Sequence, residues 1–410
     1  MSLIVQKFGG TSVANTERLK NVADIITKTY DEKSSSSALK NSQSGSSSPQ
    51  GDTTDEFIEK ARQVNPNPSK REMDMLLTAG EQISASLLAM TIEEMGYPVI
   101  SLLGWQAGFF TSANNGSARI ERVDPARIKR ELDQKRIVIV TGFQGVNRYQ
   151  DMTTLGRGGS DTSAVAIAAS MHADLCQIYT DVEGVFTADP RKIKDARKLD
   201  VISYDEMLEL ATLGAQVLNN RSVEMAKKYG VELEVLSSLT RKPGTIVREA
   251  NKMEEMLISG IAKDNEVARV SIIGVPDRPG LAFKIFTKLA AKEINVDIIL
   301  QSIGRNNTKD ISFTIPESQL DETMEILRTY VETIGAADAV YDGNVSKVSV
   351  VGAGMETHPG VAAQMFEALF DANINIQMIS TSEIKISVLI ARDDADQAVT
   401  AIHKKFFSGK

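Results

Sequence analysis

The N-terminal part of the chain alternates short β-rich apolar segments with longer helical patterns, and this alternation restricts the fold more than any other feature. The apolar segments are too short for helices, whereas the segments between them repeat apolar residues at helical spacing. The predicted strands are 3–5, 99–103, 137–141, 175–180 and 231–235, and the predicted helices are 18–30, 72–95, 125–133, 162–171 and 204–229. Such alternation produces a mostly parallel sheet covered by helices on both faces, with ligands at the carboxyl ends of the strands. We therefore predict one α/β domain over residues 1–247.

Composition is that of an ordinary globular protein. Hydrophobic residues make up 42% and charged residues 24% of the 410 residues, and no apolar run approaches the ~20 residues that a membrane span requires. The apolar run near the N-terminus is too short for a signal peptide, and the single cysteine, Cys176, excludes an internal disulfide framework. The three histidines show no metal-ligand spacing, and a net charge of -8 argues against a nucleic-acid partner. We expect a cytoplasmic protein of two to four domains, with neither membrane nor nucleic acid as a partner.

Two glycine-rich turns follow predicted strands and open helices. In the first, Lys7 precedes Gly9 and Gly10, whose backbone N–H groups can bind an anion while the lysine supplies a positive charge. In the second, residues 153–161 combine three glycines with an arginine, hydroxyl groups and a carboxylate. Turn formation alone explains one such turn, but two in one parallel sheet favour phosphate binding. A third polar cluster, residues 179–191, is by itself typical of an acidic loop whose side chains cap their own turn.

Six motifs occur in a fixed order along the chain. They are K-F-G-G-T-S-V, G-D-T-T-D, M-L-L-T-A-G-E, G-F-Q-G-V, T-T-L-G-R-G-G-S-D-T-S-A and Y-T-D-V-E-G-V-F-T-A-D-P-R. The chain thereby resembles, over nearly its whole length, the aspartate kinases of the monofunctional bacterial kind. The amino acid kinase fold is shared with sibling kinases that act on glutamate derivatives or uridylate. The resemblance implies ATP-dependent phosphorylation of the side-chain carboxylate of L-aspartate to 4-phospho-L-aspartate, at the head of lysine, threonine and methionine synthesis.

The resemblance also implies catalytic roles, and these agree with the chemistry of phosphoryl transfer to a carboxylate. The acceptor is already ionised at neutral pH, so transfer requires positioning and charge neutralisation but no strong base. Lys7 is expected to contact the transferring phosphoryl oxygens, and Asp161 to orient Lys7 and the glycine loop. Arg157 is expected to hold the α-carboxylate of aspartate through two hydrogen bonds. ATP is expected to bind with Mg²⁺, which bridges its phosphates.

The family pattern further implies the residues of two binding sites. ATP and its phosphates are expected to contact Lys7, Gly9, Gly10, Thr11, Ser12, Gly158, Gly159, Thr180, Asp181, Phe186, Asp189 and Arg191. Aspartate is expected to contact Thr53, Glu81, Phe143, Arg157 and Ser160, with Glu81 as the counter-charge to the α-ammonium group. No residue is assigned as a direct metal ligand.

A serine-rich tract, residues 33–50, departs from the family pattern. Nine of the fifteen residues at 34–48 are serine, a composition typical of a flexible linker. A strand is expected within a few residues of the helix at 18–30, so the tract lies inside the α/β domain. Relatives have a valine-rich buried strand there. Serine codons of the form AGT, read one base later, give GTA for valine, and we therefore hypothesise a local frameshift from Lys33 to about Pro49.

The C-terminal part contains an internal repeat, residues 270–302 and 350–382. The same offset along the chain relates Pro279 to Pro359, Asn295 to Asn375 and Ser302 to Ser382. Each copy resembles the ACT domain, a small α+β ligand-binding module of ferredoxin-like βαββαβ type. We predict a first module at 264–343 and a second at 344–410, with residues 248–263 supplying a linker and a strand that completes the second. The first module is then inserted into the second.

Regulation by an amino acid follows from the resemblance to ACT modules, which commonly bind amino acids at a shared interface. The family pattern implies feedback inhibition by lysine, threonine or both, with Asp277, Gly280, Gln301 and Asn375 as candidate contacts. The alternative is that these four residues serve only turns and dimer packing. Edge pairing between such modules favours a homo-oligomer.

Two classes of function follow from these motifs. The first is an active, feedback-controlled aspartate kinase. The second is an amino-acid-binding regulatory protein whose kinase domain is impaired at the serine-rich tract, and a sibling amino acid kinase is a further alternative. Intact Lys7, Arg157 and Asp161 favour the first.

Overall fold

The computed structural model describes residues 3–32, 53–156, 158–213, 217–249, 258–302, 304, 307–355, 358 and 360–408. The chain divides into two compact units. The first comprises Met1–Phe186, Lys198–Thr212 and Gln216–Met253, and the second comprises Thr187–Arg197, Leu213–Ala215 and Glu254–Lys410. The serine-rich tract, the predicted substrate residue Arg157 and the side chain of Thr53 lie outside the described residues.

The first unit is built from helices and short strands. Its helices are α1 (Thr16–Glu32), α2 (Thr53–Val64), α3 (Lys70–Glu94), α4 (Ala126–Asp133), α5 (Gly159–Met171), α6 (Tyr204–Thr212) and α7 (Asn220–Tyr229), with a 3₁₀ turn at Gly10–Val13. Its strands are β1 (Ile4–Phe8), β2 (Val99–Leu102), β3 (Phe109–Thr111), β4 (Ile120–Val123), β5 (Ile137–Val140), β6 (Gln144–Val146), β7 (Met152–Thr154), β8 (Leu175–Thr180), β9 (Val201–Ser203), β10 (Leu233–Ser237) and β11 (Thr245–Arg248).

The described residues of this unit form three sheets, in the orders β1-β8-β10-β11-β9, β2-β5 and β4-β3-β6-β7. Strands β1, β8 and β10 are parallel, with Lys7 and Val235 both in register with Ile178. The carboxyl ends of these strands therefore meet at one edge, where the turns that follow them come together. The prediction of an α/β fold with a largely parallel sheet is confirmed.

One hydrophobic cluster packs the long helices against strands of two sheets. It joins Phe8 of β1, Ile139 of β5, Ile26 of α1 and Leu88 of α3. Within the described part of the chain, α3 is the helix that is long and apolar enough to cross a membrane by length and composition. Because Leu88 and Ile92 are fully buried in this cluster, one face of α3 packs in the core of the unit.

The prediction of a single helix over 204–229 was wrong, because the segment forms two helices. Asn219 has an extended backbone, and its side chain accepts a hydrogen bond from the N–H of Arg221. This N-cap begins a separate helix, α7. At the other end of α7, Gly230 adopts a left-handed φ of 65° and the chain reaches β10 two residues later than predicted. The sheet β4-β3-β6-β7 was missed, since its strands of three or four residues carry too few positions to show a period.

The second unit contains the repeated modules. Its strands are β12 (Gly260–Asp264), β13 (Val267–Pro276), β14 (Ile299–Gln301), β15 (Thr308–Pro316), β16 (Asp338–Asp342), β17 (Val345–Val351), β18 (Met378–Thr381) and β19 (Lys385–Ala391). Its helices are α8 (Leu281–Ala290), α9 (Leu320–Ile334), α10 (Val361–Asp371) and α11 (Ala395–Phe407), with 3₁₀ turns at Glu317–Gln319, Ala353–Met355 and Arg392–Asp394.

The described residues of the second unit form two four-stranded sheets, in the orders β14-β15-β13-β16 and β12-β17-β19-β18. Strand β12 pairs antiparallel with β17, with Ala262 opposite Ser349. All four strands of the first module lie between β12 and β17 in the sequence, so the chain completes one sheet before it returns to the other.

The segment Thr187–Arg197 belongs to the second unit, although the predicted boundaries at 1–247 assign it to the first. Ala188 and Ile193 are buried in the hydrophobic cluster that contains Val348 of β17 and Ile402 of α11. Local sequence patterns do not reveal this packing, because it depends on residues far along the chain. The predicted limits at 248–263, 264–343 and 344–410 stay predictions.

Candidate active site

Lys7 and Asp161 form an ion pair near the carboxyl end of β1. The Nζ of Lys7 lies 2.8 Å from Oδ1 of Asp161, and each side chain is 11% exposed. Asp161 lies in the first turn of α5, where a carboxylate is favoured by the helix dipole, and its Oδ2 accepts a hydrogen bond of 3.3 Å from the N–H of Asn219. The pair therefore fixes the lysine ammonium group in a nearly buried position that keeps some access to solvent.

The two glycine-rich turns surround this ion pair. Gly158 has a φ of 67°, and a Cβ there would lie 2.2 Å from the side chain of Asn219. A Cβ at Gly159 would lie 2.6 Å from Leu155, and one at Gly9 would lie 3.5 Å from the Nζ of Lys7. Side chains at 158 and 159 would therefore displace their neighbours, whereas a Cβ at Gly9 would be in ordinary van der Waals contact with the lysine. The N–H of Gly159 is donated to the carbonyl of Gly156 within the turn.

Ser12 is buried at the end of the first turn. Its hydroxyl lies 2.8 Å from that of Ser238, which directly follows β10. The N–H of Ser238 donates to Thr180, and the carbonyl of Ser238 accepts from the side chain of Asn21. These hydrogen bonds join the turns after β1, β8 and β10. The sequence analysis missed Ser238, because its only signal is a contact with a residue at the other end of the unit.

The predicted substrate residues Phe143 and Ser160 lie at the second glycine turn. Phe143 has a left-handed φ of 65°, unusual for an aromatic residue. Its N–H donates to the hydroxyl of Ser163, and its carbonyl accepts from the N–H of Leu155. Strain of this kind is found at functional sites, where surrounding hydrogen bonds hold it. Ser160 is buried in α5 and Glu81 is buried on α3.

A buried carboxylate that the sequence analysis missed, Asp74, supports the same region. It is fully buried on α3 and accepts hydrogen bonds from Thr154 at 2.5 Å, from Asn115 at 2.8 Å and from the N–H of Gly116. Thr154 ends β7, which leads into the second glycine turn. A charged residue within an apolar helical pattern is the signal that points to such a site.

Arg221 also holds the second glycine turn in place through hydrogen bonds. Its guanidinium donates to the carbonyls of Leu155 and Ala118 at 2.8 and 3.2 Å. Burial lowers the pKa of Arg221 from its ordinary value. Asp74 and Arg221 thus hold the strands and loops from which the second glycine turn projects.

The predicted nucleotide residues divide between the two units. Thr180, Asp181 and Phe186 belong to the first, and the hydroxyl of Thr180 donates to Asp181 at 3.0 Å. Asp189 and Arg191 belong to the second, where the guanidinium donates to both carboxylate oxygens at 3.0 and 3.1 Å. The side-chain hydrogen bond from Arg191 lowers the pKa of Asp189. Arg191 is 78% exposed.

The candidate effector residues occupy turns and strand ends of the second unit. Asp277 pairs with Lys309 at 2.9 Å. Gly280 precedes α8 with a φ of 88° and has open space where a Cβ would stand. Gln301, at the end of the exposed strand β14, and Asn375 are both exposed. The first three lie in the first module and Asn375 in the second.

The acidic, histidine and cysteine side chains of the described residues bear on metal binding and on thiol reactivity. In the residues for which coordinates are described, no three His, Cys, Asp or Glu side chains group together as a metal site. Cys176 is buried in β8, and burial raises the pKa of its thiol, as expected for a structural cysteine.

Comparison with known proteins identifies relatives over the whole chain. The Amino acid kinase family model matches residues 2–237, and the ACT domain model matches residues 270–330 and 348–406. The chain is 48% identical to the aspartokinase of Corynebacterium efficiens and 49% identical to that of Corynebacterium glutamicum. Each alignment covers 100% of this chain and 97% of the relative.

A solved structure shares the architecture. Escherichia coli aspartokinase III in complex with aspartate and ADP, in its R-state, superposes with a TM-score of 0.82, covering 99% of this chain and 100% of that one. At 24% sequence identity, this likeness concerns the fold alone.

Proposed function

This chain belongs to the aspartokinase family, and we propose that Lys7, Asp161 and Arg157 carry its ATP-dependent phosphorylation of L-aspartate. In this reaction an oxygen of the side-chain carboxylate attacks the γ-phosphorus of ATP. The bond between the γ-phosphorus and the β,γ-bridging oxygen breaks, ADP leaves with its electron pair, and 4-phospho-L-aspartate forms. The nucleophile is ionised at neutral pH, so no proton has to be removed from it.

Lys7 offsets the negative charge on the oxygens of the migrating phosphoryl group. The ion pair of 2.8 Å with Asp161 supports this role, because it holds the ammonium group at one position before the substrates bind. Asp161 acts as a positioning residue for Lys7 and not as a base. The low exposure of both side chains strengthens their electrostatic effect, since little water screens them.

The phosphates of ATP lie along the backbone of Gly9, Gly10 and Gly158, with Gly159, Thr11 and Ser12 in the same two turns. The absence of Cβ atoms at Gly158 and Gly159 supports this placement, because side chains there would collide with Asn219 and Leu155. Mg²⁺, when bound to the phosphates, neutralises part of their charge. Thr180, Asp181, Phe186, Asp189 and Arg191 serve the nucleotide end.

Aspartate lies beside the second glycine turn. Arg157 holds its α-carboxylate, Glu81 balances its α-ammonium group, and Thr53, Phe143 and Ser160 line the pocket. The constrained backbone of Phe143 and the burial of Glu81 and Ser160 support this assignment.

Lysine, threonine or both inhibit the enzyme through the ACT modules, with Asp277, Gly280, Gln301 and Asn375 as contacts. The open space at Gly280 and the exposure of Gln301 and Asn375 support a ligand there. E. coli aspartokinase III has also been solved with lysine and aspartate in a T-state. Ile299 and Leu300 are exposed on β14, an edge strand, which supports a homo-oligomer assembled through these modules. We propose that this homo-oligomer acts in the cytoplasm.

The ion pair between Lys7 and Asp161 carries the proposal, and a coupled assay of ADP formation tests it. We expect ADP formation from Mg-ATP that depends on L-aspartate. Turnover with another carboxylate or with uridylate, but not with aspartate, would indicate a sibling kinase. The serine-rich tract favours the alternative of a regulatory protein with an impaired kinase domain. Binding of lysine or threonine without any ATP turnover would support that alternative.

A further inference from the structure

Asp74 on α3 binds two separate segments of the first unit through its carboxylate. Its Oδ1 accepts the hydroxyl of Thr154 at 2.5 Å, and its Oδ2 accepts the side-chain amide of Asn115 at 2.8 Å. The N–H of Gly116 donates to both oxygens, at 3.1 and 3.0 Å. Asp74 is fully buried, so solvent cannot replace a donor that is lost. These donors therefore fix one orientation of the carboxylate.

The two segments that Asp74 binds also contact each other. The N–H of Ala118 donates to the carbonyl of Thr154 at 2.9 Å. Gly156 has a φ of 79°, and a Cβ there would lie 3.3 Å from the carbonyl oxygen of Gly116. The turn that follows β7 therefore packs closely against the loop that Asp74 holds.

The end of β7 in turn contacts Phe143 and the start of α5. Leu155 directly follows Thr154, and its N–H donates to the carbonyl of Phe143 at 2.8 Å. A Cβ at Gly159 would lie 2.6 Å from the Cβ of Leu155 and 3.2 Å from the ring of Phe143. Gly159 begins α5 and directly precedes Ser160. A shift at Thr154 would therefore move backbone that carries the predicted aspartate contacts Phe143 and Ser160.

Asp74 and Glu81 lie on the same face of α3, because the seven residues between their positions span about two helical turns. Both residues are buried. Their Cα atoms are separated by about 10 Å along the helix axis. The proposed aspartate site has Glu81 on one side and the second glycine turn on the other. The hydrogen bonds of Asp74 connect α3 to that turn, and they therefore join the two sides of the site.

We propose that Asp74 is a positioning residue for L-aspartate, which sets the distance between Glu81 and the second glycine turn without touching the substrate. This inference rests on the proposed function, since it takes Glu81, Phe143 and Ser160 as aspartate contacts. A small displacement of a substrate-binding group weakens every contact that depends on its position. None of the three donors to Asp74 belongs to the first glycine turn, so the effect falls chiefly on aspartate and not on ATP.

Replacement of one buried hydroxyl tests this role. Thr154→Val keeps the shape of the side chain and removes the hydroxyl donor to Oδ1 of Asp74. We expect the Kd and KM for L-aspartate to rise about fivefold to twentyfold, with the KM for Mg-ATP within about twofold of wild type. Thr154→Ser, which restores a hydroxyl, should return the aspartate values toward those of wild type.

Asn115→Ala removes a donor to the other oxygen of Asp74 from a half-buried position, where truncation should leave folding intact, and it should raise the aspartate KM in the same direction. The matched control is Thr27→Val, which deletes a buried hydroxyl that donates to the carbonyl of Ala23 within α1. It should leave the aspartate KM unchanged. A lowered Tm with wild-type aspartate affinity in both Thr154→Val and Asn115→Ala would overturn the proposal, since Asp74 would then be only structural. Equal aspartate KM values for Thr154→Ser and Thr154→Val would also overturn it.

A comparison with Arg157→Ala separates this inference from the proposed function. Calorimetry measures the Kd for L-aspartate whether or not a phosphoryl group is transferred. A raised Kd in Thr154→Val with a wild-type Kd in Arg157→Ala would refute the proposed role of Arg157, while the role of Asp74 would stand. The reverse result would overturn the inference about Asp74 alone. Wild-type Kd values in both variants would overturn both.

Discussion

The hydroxyl groups of Ser12 and Ser238 lie 2.8 Å apart in the buried interior of the first unit, although 226 positions separate them in the sequence. Ser12 ends the glycine turn after β1, and Ser238 follows β10, two strands away in the sheet. Each hydroxyl gives the other a partner in a place where water does not reach. This hydrogen bond therefore links the first glycine turn, after β1, to the segment that follows β10.

A double-mutant cycle measures the strength of the hydrogen bond between Ser12 and Ser238. Ser238→Ala leaves the hydroxyl of Ser12 buried without its partner, so we expect a loss of about 1–3 kcal/mol in the free energy of unfolding and a higher KM for ATP. Ser12→Ala with Ser238→Ala should cost less than the sum of the single changes. Ser271→Ala, which removes one member of a serine pair of the same 2.8 Å spacing in the second unit, is the control and should leave the KM for ATP unchanged. Additive effects of Ser12→Ala and Ser238→Ala would contradict a direct hydrogen bond.

Lys7→Ala should abolish turnover and leave the fold intact. The substitution removes the cation that offsets charge on the migrating phosphoryl group, and we expect kcat to fall by at least about 10³-fold. Steady-state kinetics and circular dichroism would measure the two effects. Lys20→Ala, at an exposed position of α1, is the control. Activity of Lys7→Ala within tenfold of wild type would refute the assignment of Lys7.

Arg157→Ala should act chiefly on aspartate binding. It deletes a charge-assisted pair of hydrogen bonds worth roughly 2–3 kcal/mol, so the KM for aspartate should rise about 30-fold to 150-fold. The KM for ATP should change far less. Arg130→Ala, at an exposed arginine of α4, provides the comparison. If the aspartate KM of Arg157→Ala equals that of wild type, Arg157 does not hold the substrate.

Gln301→Ala should relieve inhibition by lysine or threonine without lowering the uninhibited kcat. Gln301 lies on the exposed strand β14 of the second unit. In the proposed role it binds the effector more tightly in one state of the enzyme than in the other. Titration of each amino acid singly and of both together would measure the change. Inhibition curves that superpose on those of wild type would remove Gln301 from the effector site.

The nucleotide sequence of the gene tests the origin of the serine-rich tract. We expect AGT-type codons at Ser34–Ser37 that encode a β-branched apolar run when read one base later. A protein with such a run restored should be more stable and more active, because a parallel sheet buries its strands on both faces. Codons of the TCN type there, or a shifted frame without an apolar run, would leave a genuine divergent loop.

Local patterns in the sequence determined the fold class and many of the candidate residues. Helical and strand periods predicted β8 at its observed limits and α3 within two residues at each end, because these elements bury one face or run over many positions. Glycines at 9, 158 and 159 marked the turns, and at 158 and 159 a Cβ would collide with its neighbours. The constant offset between the repeats indicated two related modules. Each of these properties can be read from the sequence without knowing which distant residues are in contact.

Tertiary structure decided what depends on residues distant in the sequence. It brought Lys7 onto Asp161, supplied Asp74 and Ser238 as supports, and divided the predicted helix at Asn219, where a side-chain cap starts a new helix. It also assigned the segment Thr187–Arg197 to the second unit, where the hydroxyl of Thr187 lies beside His403. No sequence period records such contacts, because a buried hydrogen bond or ion pair requires only that two groups meet in space after the chain has folded.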